Sequence, residues 1–83
     1  MKTAQQSHDE MLIALREKTF ERLVIKRLGS VCYLVVTSEG EAHVFGDRKG
    51  ERKEYRHAWQ VREWLTESFN IPPESVPVEL IAQ

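Results

Sequence analysis

Three histidines, one cysteine and a scatter of carboxylates are the side chains able to do chemistry in this 83-residue chain. Cys32 is the candidate thiol nucleophile. Covalent catalysis needs a base and an orienting group within hydrogen-bond reach of the nucleophile. A thiolate also needs an electropositive, partly open setting. Cys32 instead stands inside the apolar run Val31 to Val36, so it reads as a small buried hydrophobe. A single cysteine forms no internal disulfide and builds no zinc site alone. His8, His43 and His57 share no His-x-x-x-His spacing that would aim two imidazoles at one metal. The closest carboxylate pairs, Asp9/Glu10 and Glu39/Glu41, fall at a helix cap and a hairpin tip, not where acid–base chemistry needs them. A hydrolase or nuclease using His43 or His57 would need a grouping that this spacing does not offer. The expectation is a protein that is not an enzyme, with no catalytic residue, no metal and no cofactor.

Phosphate binding is the next chemistry to weigh. Gly46-Asp47-Arg48-Lys49-Gly50 is basic and flanked by glycines, but it lacks the Gly-x-x-x-x-Gly-Lys-Ser/Thr pattern of a P-loop. It reads as a solvated turn. A wider basic cluster surrounds it. From Arg48 to Arg62 the chain carries a net +4, and from Glu63 onward a net −4, inside a total of −1. Arg48, Lys49, Arg52, Lys53 and Arg56 are candidates to contact phosphates, with Trp59 to stack on a base. A sequence pI of 6.3 is low for such a module. The opposite charge blocks could equally steer association between copies.

The elements that must position these groups follow from the patterning. Ser7 and Glu10 form a Ser-x-x-Glu capping box, which predicts a helix from His8 to about Glu21 after a flexible tail over residues 1–6. Met11, Leu12 and Leu15 mark its inner face. Leu23 to Ile25 reads as a first strand. Val31 to Thr37 is the best strand, apolar on both faces, as expected of a central or doubly covered strand. Ser38-Glu39-Gly40-Glu41 supplies a tight hairpin, Ala42 to Phe45 returns, and Glu51 to Tyr55 is a candidate third hairpin strand. Ala58, Val61, Leu65 and Phe69 form one stripe of a second helix, stopped by Asn70 and by Pro72-Pro73. Val76 to Ile81 reads as a short terminal strand that Pro77 restricts to an edge or a strand start. The expected core is Leu12, Leu15, Leu23, Ile25, Leu34, Val36, Val44, Val61, Leu65 and Phe69.

The fold class is therefore α+β. One domain over residues 7–83 holds a small antiparallel sheet of three to four strands, with an N-terminal and a C-terminal helix packed on it. The α-β-β-β-α order is similar to that of double-stranded-RNA-binding domains and of small mRNA-cleaving toxins. The first family's Gly-x-Gly-x-Ser-Lys-Lys has no counterpart before Ala58. The second family's histidine after Gly-Ser is replaced by Val31-Cys32 after Gly29-Ser30. The likeness is one of topology, and topology does not carry function.

No apolar run approaches the roughly 20 residues a membrane span needs. No signal peptide is expected, since Asp9 and Glu10 lie near the start with no apolar stretch between. A cytoplasmic protein that touches no membrane is the expectation. A core this small, with neither disulfide nor metal, draws on other sources of stability, and oligomerisation is one. Ile13 and Phe20 lie off the inner face of the first helix, and Val24 would extend their row if that helix continued. Trp59 and Trp64 flank the second stripe on opposite sides. Such surplus apolar groups suggest either helices that the sheet wraps fully or an interface. The leading expectation is a small binding or regulatory module that contacts protein through Ile13, Phe20, Trp59 and Trp64, as a homodimer or with another protein. Nucleic-acid binding is the alternative.

Overall fold

The computed structural model describes residues 3–47 and 49–81. Its elements run α1 (Ala4–Glu17), β1 (Arg22–Leu28), β2 (Val31–Ser38), β3 (Glu41–Val44), α2 (Ala58–Phe69), a 3₁₀ turn (Pro73–Ser75) and β4 (Val78–Leu80). This is an α+β fold.

Thr3, not Ser7, caps α1. Its hydroxyl accepts from the Gln6 amide at 3.1 Å, and the Gln6 side chain accepts from the Thr3 amide at 2.9 Å. Both pairs fit the capping-box pattern, but the Ser7 amide already donates to the Thr3 carbonyl at 3.1 Å. Ser7 is thus inside the helix, one turn later than the true start. Residues 4–6 are helical, not a tail. The far end closes four residues before the expected Glu21, where Lys18 turns left-handed at φ 57°. Val24 consequently belongs to β1, not to a helical side row.

β1 and β2 pair antiparallel from Arg22↔Thr37 to Leu28↔Val31, and β2 pairs with β3 from Val35↔Val44 to Ser38↔Glu41. The β2–β3 turn puts Glu39 at φ 54° and Gly40 at φ 79°. Two successive positive φ values match the twist of the flanking strands. Sheet order is β3-β2-β1-β4, so β2 lies between neighbours as its sequence implied. The sheet is mixed, not wholly antiparallel, because β4 runs parallel to β1 at the edge. Parallel neighbours need a long crossover, and α2 supplies it. Residues 51–55 form no strand. They contribute two isolated bridges, Gly46↔Arg52 and Cys32↔Tyr55.

Strand alternation divides the sheet into two faces. Leu23, Ile25, Cys32, Leu34, Val36 and Phe45 point inward. They meet Leu15 of α1, Val61 and Leu65 of α2, and Ile71 and Val76 beyond it, all at most 4% exposed. Leu12 and Phe69 pack at the margin of this cluster. Val44 corrects the expected core: it is 43% exposed, because it pairs with Val35 on the outer face while His43 and, just past β3, Phe45 share the inner side. Asn70 ends α2 at φ 58°, as its type suggests. Arg62 then ties α2 to the approach of β4, donating twice to the Val76 carbonyl at 2.8 and 3.1 Å.

Candidate functional site

The groups that could do chemistry are held apart. Cys32 is fully buried, with the Arg27 guanidinium 3.9 Å from its Sγ. His8 donates from Nδ1 to the Gly46 carbonyl at 2.7 Å and lies against Phe45, ring centres 5.3 Å apart. His43 is 3.5 Å from Glu41 on exposed β3. His57 stands at the start of α2. Among the described residues no three His, Cys, Asp or Glu side chains gather as a metal site would require. No described helix is long and apolar enough to cross a membrane.

The glycine-flanked loop uses its own amides. The Asp47 carboxylate accepts from the amides of Lys49 at 2.8 Å and Glu51 at 3.0 Å, and the Asp47 carbonyl accepts from the Gly50 amide. A Cβ at Gly46 would stand 3.0 Å from the Glu51 carbonyl oxygen, so glycine there lets the loop close on itself. The amides of Asp47, Lys49, Gly50 and Glu51 are thereby engaged within the loop.

The four apolar partner candidates divide in two. Trp64 packs on the core, its ring centre 5.2 Å from Phe45 and 5.3 Å from Phe69, and Phe20 also packs against the buried cluster. Ile13 and Trp59 remain out, at 46% and 59% exposure. Ile13 lines a groove between α1 and the β2–β3 hairpin, with Met11 and Val36 nearby and Glu10, Glu39 and Glu41 around it.

A further group of apolar side chains lies on the outer face of the sheet. Val24 pairs with Val35, and Val35 with Val44, so three valines form one row across three strands. Tyr33 lies one step further along the same face. Val24 and Tyr33 are 4% and 8% exposed, yet neither belongs to the cluster under the helices. No described helix covers this face. Its cover is local: the Arg52 guanidinium lies 4.4 Å from the Tyr33 ring centre. The sequence signal for this face was the double apolar alternation of β2.

The cations on the outer face are paired within the chain. Glu79 accepts from Lys26 at 2.8 Å and from Arg22 at 3.2 Å. The hydrogen bond from Lys26 and then its charge hold the Glu79 carboxyl below its usual range, against an opposing cost of desolvation, with a lesser contribution from the charge of Arg22. Arg52 pairs with Glu54.

A second surface surrounds the start of α2. The sheet register sets Arg27 beside Cys32, and Cys32 bridges to Tyr55. Lys53 lies 5.6 Å from the Tyr55 ring centre. Partial burial pushes the Tyr55 hydroxyl's pKa up. Arg56 and His57 follow, their amides held by the Gln60 side chain at 3.2 and 3.0 Å. The His57 and Trp59 rings are nearly parallel, 12° apart in plane with centres 6.0 Å apart. Lys49, Lys53 and Arg56 are exposed and, with Arg27, have no carboxylate partner among the described residues. Of the basic residues expected to act together, Arg52 belongs to the outer face, Arg62 is bonded to backbone, and Arg48 lies outside the described residues. Arg27 was not legible as a member, because only the strand register brings it here. Comparison with protein-family models, with curated proteins and with solved structures finds no match to this chain.

Proposed function

We propose that the protein is a small non-enzymatic binding module that self-associates, two copies joining through the outer faces of their sheets. The observation that carries this reading is the Val24–Val35–Val44 row, which opens to water at its Val44 end, 43% exposed, on a face that no described helix covers. Apolar surface left in water gains roughly 25 cal/mol for each Å² it buries.

The occupant argued for is a second copy. Arg22, Lys26 and Arg52 are neutralised by Glu79 and Glu54 on the same side of the sheet. A polyanion therefore gains little there, whereas an identical apolar face gains burial. A two-fold arrangement sets the same patch against itself. A standard interface takes roughly 800 Å² from each partner. The molecule's longer extents, 31 and 27 Å, leave room for such a patch. Ile13 and Trp59 lie off this face and take no part in the contact. The test is the mass in solution as concentration rises: the wild type approaches a dimer, and a chain that stays monomeric at hundreds of micromolar overturns the reading.

A further inference from the structure

We infer that the start of α2 is a binding site for single-stranded nucleic acid, with the Trp59–His57 pair as the stacking platform and Arg27, Lys53 and Arg56 as the phosphate contacts. The site is distinct from the outer sheet face, since Arg27, Cys32 and Tyr55 lie in one row on the inner side of the sheet.

Three observations converge. First, Trp59 leaves 59% of its surface in water although it stands on a helix with an apolar stripe. It is the most exposed aromatic side chain described, and its ring runs parallel to that of His57. An open indole face accepts any base, because every base has a π surface. Second, the cations of the Arg27–Cys32–Tyr55 row and of the segment leading into α2 keep their charge. Among the described residues Arg27, Lys53 and Arg56 have no carboxylate partner, in contrast to Arg22, Lys26 and Arg52 on the other face. Lys49, in the turn that precedes this segment, is a further exposed cation. Third, Lys53 is held over the Tyr55 ring, in the segment that leads into α2, by a contact that leaves its charge uncancelled. Cations fix the backbone and aromatics hold the bases, a division of labour that suits a single strand. A duplex keeps its bases stacked and offers the indole nothing.

The experiment uses the intact chain with fluorescently labelled, mixed-sequence single-stranded DNA and RNA and a matching duplex, followed by anisotropy and by quenching of tryptophan emission. Binding of a single strand is expected at low salt, with emission quenched. Three to four phosphate contacts give a log–log salt slope of roughly −2 to −3. Trp59→Ala weakens binding roughly tenfold. Lys53→Glu weakens it and flattens the salt slope. Both variants change exposed positions, so circular dichroism matching the wild type identifies a true binding defect. No anisotropy change with either single strand at low salt overturns the proposal. So does binding that both folded variants retain at wild-type strength, or a preference for the duplex that Trp59→Ala leaves untouched.

Discussion

The Arg52 guanidinium stands 4.4 Å from the Tyr33 ring centre, and Glu54 accepts two of its hydrogen bonds. This contact sets the Arg52 side chain against the sheet's outer face while the segment's backbone bridges to the sheet. It accounts for the low exposure of a tyrosine that no helix covers. An exposed cation–π pair contributes about 0.5–1 kcal/mol. Arg52→Ala should lower unfolding stability by about that amount in a denaturant titration, and Tyr33 should become more accessible to a solvent quencher. Unchanged accessibility would show that other side chains shield the ring.

The β2–β3 turn holds Glu39 at φ 54° beside Gly40 at φ 79°. Glutamate is a poor occupant of that region, whereas Asn-Gly is the favoured pair for a two-residue turn of this kind. Glu39→Asn should raise stability by about 0.5–1 kcal/mol, read as a higher midpoint in urea with an unchanged slope. It should leave association untouched, because residue 39 lies at the hairpin tip.

Much of the fold was legible because its signals are local. The Ser38–Glu41 turn, the Asn70 stop and the stripe of α2 each depend on residues within one or two turns of chain. The start of α1 was misplaced because Thr3-Ala4-Gln5-Gln6 and Ser7-His8-Asp9-Glu10 both satisfy one capping pattern. Only the extra hydrogen-bonded turn decides between them. The direction of β4 was not legible, since a three-residue strand has the same alternation whichever way it runs. The surfaces were half legible. β2's double alternation announced an outer apolar face, but the valine row needs the register of three strands. Val44 was assigned to the core for that reason. Arg27 joins the basic group through pairing with Cys32, a relation between strands that no window of sequence contains.

Glu79 anchors the edge strand. Lys26 and Arg22 hold its carboxyl below the usual carboxylate range. A group whose folded pKa is depressed contributes stability above its unfolded pKa and loses it as pH falls through the folded value. The wild type should therefore exceed Glu79→Gln in stability at neutral pH. The gap should shrink as pH drops through and below the ordinary glutamate range. Denaturant titrations of both proteins between neutral and acid pH check this. A gap that persists at acid pH would assign the difference to something other than the charge on Glu79.

The most direct test of association through the outer sheet face is light scattering on the wild type and Val44→Lys side by side. Val44 is already 43% exposed, so a lysine there leaves the monomer's core intact while setting a charge in the valine row. The wild type should rise toward twice its 9.7 kDa chain mass with concentration, and Val44→Lys should remain near 9.7 kDa with an unchanged unfolding midpoint. A wild type that stays at 9.7 kDa, or a Val44→Lys variant that dimerises as the wild type does, would contradict it.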